Sequence, residues 1–492
     1  MHDGERPGSA SRSPFAPGSS VAAPSPPWRS AAFWAVLLLA LGLRITWALV
    51  VTHPELRQGA FAFTAPDEPT FHDVAATLAT TGRYAQQPGG PPTTGRTPGY
   101  VLPMAALYWL FGPRPVLGLV LNLLFGVALV AAAGCLAGEF WADQRAVWAA
   151  LVLAAVAPSL VRYSAYALSD SLATWSALAG LVALARWYRL RRASSLAAAG
   201  LWWGWAWLTR PSSGLLLAGL MLWVIWQRPR AQAVRGAALC LGVSALCVGP
   251  WALRNYLVLG AFDPGSTATG ISLWQCNNPV TAGLQPPVDV RGGPAGNLPL
   301  GYFRGAPTPR AYTPGAREIF SPSLTERERD LRAKACFRRF VREQPGALLR
   351  CVLYKLQSFV LAAEPSRQAY ISHGDADGYE VAVRVAAPAG SLRQRLGAAL
   401  WKGERWLALL CGALGLGVLF RRSRPRGWLA LGTVLGTIAF MLVSVPLSRY
   451  FMSGTAVLLV AASGLVGASG PRPRPDEGAA QAAEEVRAEA HV

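Results

Sequence analysis

The sequence contains no Cys-x-x-Cys and no His-Glu-x-x-His, so metal chemistry built on those motifs is absent. Zinc-finger spacings and aromatic-basic modules are also missing, although the formal net charge is +20, and nucleic acid is therefore set aside as a partner. The charge has another origin. Acidic residues number 26 against 46 Lys and Arg, and arginine falls mainly in short clusters between apolar segments. That pattern follows the positive-inside rule. Cysteines number only 7. Cys135, Cys240, Cys247 and Cys411 lie in apolar runs and read as small packing residues. Cys276, Cys336 and Cys351 lie in a polar stretch; their odd count gives little support to a disulfide, of which Cys276–Cys336 is one pairing. No repeat of 20–50 residues is visible.

Apolar length is what the chain does have: 52% of 492 residues are hydrophobic, 19 are Trp, and mean hydropathy is positive. The expected class is an all-α polytopic membrane protein. A first span covers 33–51 and reads as an uncleaved signal-anchor, with Arg44 inside it facing protein or a headgroup region. Further apolar segments fall at 116–137, 146–161, 170–185, 195–209, 212–227, 236–251, 403–420, 427–445 and 450–468, for a working count of about ten spans. The expected domains are a disordered cytoplasmic tail (1–31), an N-terminal transmembrane region (32–251) whose first outer loop is 52–115, a loop-rich extracytoplasmic region (252–402), C-terminal transmembrane helices (403–468) and a second tail (469–492). Arginine clusters at 186–192, 228–235 and 421–426 belong in the cytoplasm by positive-inside counting. The turns at 162–170, 210–211 and 448–450 then lie outside, as does the first loop.

Residues 98–112 are too few for an easy span and read as a helix on the outer membrane surface. Residues 346–363 read as an interfacial amphipathic helix, because Arg350 and Lys355 interrupt the apolar repeat. Ser323 is expected to cap a helix, with Glu326 completing a capping box.

The first outer loop is the most informative stretch. Asp67-Glu68 precedes Pro69, and Phe71, Val74, Ala75, Leu78 and Ala79 repeat at helical spacing until Gly82. A flexible run follows, then Arg96-Thr97-Pro98-Gly99-Tyr100. The residues alone allow a bland reading, an N-cap aspartate and a proline loop. Asp170, in Ser169-Asp170-Ser171, has the same capping alternative.

The acidic pair, juxtamembrane helix and basic-proline turn resemble the first outer loop of GT-C glycosyltransferases, in particular family 39, the protein mannosyltransferases and the related bacterial lipid A aminoarabinose transferases. Pro250-Trp251-Ala252-Leu253-Arg254-Asn255 matches a PWxxRN motif of these enzymes. Gly270 to Pro279 resembles their Leu-Trp-x-Gly-Asn-x-Pro element, with Cys276 in place of glycine. Ser448-Arg449-Tyr450 matches the Arg-Tyr that opens their closing helix.

The resemblance implies an inverting membrane glycosyltransferase that moves a sugar from a polyprenyl-phosphate donor to a protein, lipid or glycan. Its active site would lie on the extracytoplasmic face of the plasma (inner) membrane. Such a reaction needs a carboxylate to take the acceptor's proton and cations or a metal to balance the departing phosphate. Asp67, Glu68 and Asp170 are the implied catalytic acids, and Asp170 is also the position where a divalent metal is allowed by the aminoarabinose branch. Arg96, Arg210, Arg254 and Arg449 are the phosphate candidates, since the planar guanidinium holds two phosphate oxygens at once. Tyr100, Trp251, Asn255 and Tyr450 complete the expected substrate contacts. The alternatives are a transporter or flippase of lipid-linked sugars and an oligosaccharide polymerase or ligase.

Overall fold

The computed structural model describes residues 27–65, 67–227, 229–260, 262–275, 277, 301–303, 319, 323–360, 368–374, 380–386, 392–444 and 448–467. The expectations for the second tail, for residues 1–26 of the first, and for Arg228, Cys276 and Asn278-Pro279 lie outside these residues; the rest of the first tail is ordered, with Pro27–Arg29 in a 3-10 turn and Ala31 already in the first helix.

Helix α1 (Ala31–Trp47) is started by Ser30, whose hydroxyl accepts from the Phe33 N–H. In the first outer loop, α2 (Glu68–Thr81) ends on Gly82 at φ 69°, a conformation that favours glycine. Helix α3 (Pro98–Phe111) follows, and then α4 (Pro115–Trp141). The 146–161 segment is broken into α5 (Gln144–Val156) and α6 (Pro158–Ser164), bent by 53°. Pro158 has no N–H for Ala154, and the Ser159 N–H turns instead to Glu404, at 2.8 Å. The two carbonyls this frees, Ala154 and Ala155, accept from Arg44, which is fully buried. A cation inside the first span is thus held by a helix break.

Next come α7 (Asp170–Leu190), α8 (Ala193–Thr209), α9 (Ser212–Ile225), α10 (Arg230–Leu259) and the short α11 (Thr269–Gln275). The polar region contains α12 (Glu326–Glu343), the amphipathic α13 (Pro345–Val360), which follows it directly, and a three-stranded sheet. Its strands are β1 (Gly301–Phe303), β2 (Gln368–Gly374) and β3 (Glu380–Ala386) in the order β1-β3-β2, with β1 parallel and β2 antiparallel to β3. The helices α14 (Leu392–Arg422), α15 (Arg424–Val443) and α16 (Met452–Gly467) close the chain.

Among the described residues six helices are long and apolar enough to cross a membrane, or up to seven if the bent pair counts as one span. The chain is a multi-pass membrane protein, and the working count of ten is not reached on this criterion. Helix α9 is short at 14 residues.

The cap of α12 is Thr325 with Glu328, not Ser323 with Glu326. The register shift frees Glu326 to accept from Thr93 Oγ1 at 2.6 Å, Thr94 N at 2.9 Å and Thr267 Oγ1 at 3.2 Å. Lys355 does not interrupt α13 from its surface. It is buried, bonded to Asn277 Oδ1 at 2.7 Å and to the Leu442 carbonyl near the end of α15.

Charge separates along the bundle. Arg186 and Arg189 pair with Glu139 near the end of α4, and Arg426 donates to the Phe140 carbonyl beside them. Arg186 lies 16 positions after Asp170 on α7, roughly 24 Å at 1.5 Å per residue. Asp170 and the residues it meets occupy the other end.

Candidate active site

Asp67 immediately precedes α2, yet its side chain caps nothing. Its carboxylate turns sideways into a clamp: Oδ1 accepts from Arg96 Nη2 at 2.6 Å and Oδ2 from Arg449 Nη2 at 2.5 Å. Arg96 Nε also donates to Thr70 Oγ1 at 2.8 Å, and the guanidinium lies over the Phe71 ring. Burial of the Asp67 carboxylate acts to raise its pKa. Arg96 and then Arg449 overcome that and hold it well below the usual carboxylate range.

Asp170 also leaves its helix uncapped. Oδ1 accepts from Arg210 Nη2, and the buried Oδ2 has no hydrogen-bond partner. Arg210 and Arg449 both stack on Tyr450, at 4.7 and 5.5 Å from the ring centre. The two basic turns touch each other. Thr97 Oγ1 donates to the Thr209 carbonyl, and Gly99 lies so close to Thr209 and Leu208 that a Cβ there would collide with their backbone. Glycine in the Thr-Pro-Gly-Tyr turn is what lets Arg96 approach Arg210.

These residues line the polar mouth of a cavity of about 750 Å³. Away from the charges it continues between α9 and α15, along Leu215, Leu216, Gly219, Leu220, Gly432 and Gly436. Gly219 and Gly432 have open space where a side chain would begin. Trp223 and Trp428 stand at the far end, where Trp223 Nε1 donates to the Pro425 carbonyl at 2.8 Å. From Trp428 to Ser444 the groove follows 16 residues of helix, roughly 24 Å. Charged groups thus open directly into an apolar channel of bilayer depth.

Of the expected site residues, the cavity brings together Asp67, Arg96, Asp170, Arg210, Arg449 and Tyr450. The others are placed elsewhere. Glu68 is fully buried and accepts from the backbone N–H groups of Thr64, Ala65 and Ala167 at 2.7, 2.7 and 2.8 Å. It therefore ties the loop before α2 to the turn before Asp170. Arg254 donates to the Thr93 and Tyr84 carbonyls and braces the Arg96 loop. Tyr100 is a core residue whose hydroxyl donates to the Gly118 carbonyl. Trp251 and Asn255 fix the 263–265 turn through the Gly265 and Asp263 carbonyls. The sequence reading missed that turn, although Asp263-Pro264-Gly265 is a turn signal; Asp263, Ser266 and Thr269 line the cavity beside Arg96.

No family model matches the sequence, and no curated protein matches it either. Among solved structures, the chain is similar to the Archaeoglobus fulgidus oligosaccharyltransferase complexed with zinc and sulfate: TM-score 0.50, 14% identity, 88% of this chain and 49% of that one. The fold is that of this oligosaccharyltransferase. Other similar structures are the same organism's oligosaccharyltransferase AglB with an inhibitory peptide and dolichol-phosphate (TM-score 0.48, 14% identity, 91% and 53% covered) and ArnT from Cupriavidus metallidurans with undecaprenyl phosphate (0.39, 14%, 89% and 78%). The chain spans about half the length of the oligosaccharyltransferases it matches.

The divalent metal allowed at Asp170 does not fit this site. Among the described residues no three His, Cys, Asp or Glu side chains converge. Both oxygens of Asp67 are taken by guanidinium groups, and the unpartnered Asp170 Oδ2 is a single donor atom beside Arg210. Two carboxylates facing three arginines suit an anion.

Proposed function

We propose that the protein is a membrane glycosyltransferase that moves a sugar from a polyprenyl-phosphate donor to a hydroxyl or amine acceptor, with inversion. The observation that carries this reading is the continuity between a mouth holding three arginines and two aspartates and a groove lined by apolar side chains and glycines. A polyprenyl phosphate has that polarity: an anion at one end and a long apolar chain. A flippase of the same lipid has no use for a carboxylate held beside its phosphate site, and this favours the transferase.

The phosphate sits among Arg96, Arg210 and Arg449, and the chain lies between α9 and α15. Asp67 takes the proton from the acceptor as that atom bonds to the anomeric carbon. The carbon–oxygen bond to phosphate breaks at the same time, its electron pair leaving with the lipid phosphate, where guanidinium groups stabilise the charge. Phosphate is a good enough leaving group to need no protein acid. Glu68 acts by position, holding the loop before Asp67 to the turn before Asp170. The site faces away from the arginine-rich end of the bundle, and positive-inside counting makes that face extracytoplasmic.

Mass spectrometry of envelope glycans, lipids and glycoproteins with and without the gene tests the assignment. We expect one hexose or pentose to disappear from one acceptor, to return with the wild-type gene, and not to return with Asp67→Asn. Unchanged glycans throughout would contradict it.

A further inference from the structure

In the described structure the proposed base is not free. Each oxygen of Asp67 is held by a separate arginine, Arg96 at 2.6 Å and Arg449 at 2.5 Å, and both of these line the cavity mouth. Arg96 has already committed Nε to Thr70 and Nη2 to Asp67. A phosphate gripping this guanidinium through two N–H groups must take at least one of them away. Arg449 differs: its buried Nε has no hydrogen-bond partner, while Nη2 is drawn to Asp67. A buried cationic donor left unsatisfied is costly, and an anion reached through the Nε side would satisfy it.

We propose that the carboxylate of Asp67 and the donor's phosphate compete for Arg96 and Arg449, so that donor binding unclamps the base. This rests on the polyprenyl-phosphate reading above and adds an order of events to it. Without donor, the arginines neutralise Asp67 and keep it a poor proton acceptor. When phosphate enters, one or both turn to it and the carboxylate is released beside the sugar. Proton abstraction is thereby tied to the presence of a leaving group. Tyr450 lets Arg449 pivot without losing its support, since the guanidinium rests on the ring face, which does not fix its rotation.

Competition makes an unusual demand on binding. Removing the charge of Asp67 takes away a rival for the arginines, so a variant impaired in turnover should bind the lipid phosphate more tightly. Undecaprenyl phosphate and neutral undecaprenol are titrated into purified wild-type, Asp67→Asn and Asp67→Ser proteins. Quenching of tryptophan fluorescence is the readout, because Trp207, Trp223 and Trp428 line the cavity. The inference predicts that either variant binds undecaprenyl phosphate about tenfold more tightly than wild type, with undecaprenol unchanged. Equal or weaker phosphate binding by both variants would overturn it and leave the donor assignment standing. If the wild-type protein itself fails to prefer the phosphate over undecaprenol, the donor assignment falls, and this inference with it.

Discussion

Arg96 divides its guanidinium among Thr70, Asp67 and the ring of Phe71, all within the first outer loop. Arg96→Ala should lower transfer by about 10- to 150-fold, the worth of one charge-assisted hydrogen bond felt at the transition state. Arg96→Lys should recover part of this, since lysine restores charge without the fork. Steady-state transfer rates of the purified variants decide it, and an unimpaired Arg96→Ala protein would remove this residue from the site. The clamp also fixes a pH response. Asp67 has a folded-state pKa below its unfolded value near 3.9, so the stability it contributes is complete above that value and is lost only as pH falls through the lower one. The Tm difference between wild type and Asp67→Asn should therefore be flat between about pH 5 and pH 8. A difference that grows across that window would show that the clamp titrates there. Much of this was legible at the residue scale, because an acidic pair before a proline and an arginine before another proline are short-range patterns. Glu68 and Tyr100 were not legible. Glu68 has local partners in Thr64 and Ala65, but its tie to Ala167 and the Tyr100 bond to Gly118 are supplied by later turns and helices that the neighbouring residues do not reveal.

The facing helices α9 and α15 carry the groove. On α15, Gly432 and Gly436 are four residues apart on the face that lines the cavity. Gly432→Leu adds its side chain into open space, so it should fold normally while narrowing the channel. Displacing even two methylenes' worth of lipid contact is worth about 1.6 kcal/mol, so binding of undecaprenyl phosphate should weaken by about tenfold. A short-chain prenyl phosphate should bind as before; equal weakening of both ligands would mean that the chain lies elsewhere. Outside the groove, α12 holds the Arg96 loop through Glu326. Glu326→Gln should raise the KM for donor several-fold while leaving Tm within about a degree or two, since Thr325 and Glu328 still cap the helix. A large Tm loss with unchanged KM would reduce Glu326 to a scaffold residue. The sequence places α2 and α3 well, through periodicity and the closing Gly82, but assigns Glu326 to a cap because its true partners are distant in the chain, Thr93 and Thr94 more than 200 positions earlier and Thr267 59 earlier.

Across the whole molecule, arginine clusters and charged cavity stand at opposite ends of the same helices, and the proposed orientation follows from that separation. In a cysteine-free background, a cysteine at Gly90 should react with an impermeant thiol reagent in intact spheroplasts and one at Ser194 should not; the reverse would invert the topology. The helical class and the order of segments were readable from apolar length alone. The span count was not, because α8 and α9 are short at 17 and 14 residues, α7 does not meet the same test of apolar length, and the break at Pro158 divides another segment. Nor was the β1-β3-β2 sheet, whose strands are separated by long stretches of sequence. The central claim concerns chemistry at Asp67, and it meets its most direct test in proteoliposomes. Purified protein is given a labelled polyprenyl-phosphate sugar and an envelope acceptor fraction, and transferred label and released lipid phosphate are counted together. The account predicts that wild type yields both in equal amounts. It predicts that folded Asp67→Asn protein yields about 100-fold less of each, the usual scale of a general base. Transfer by Asp67→Asn at the wild-type rate would contradict it.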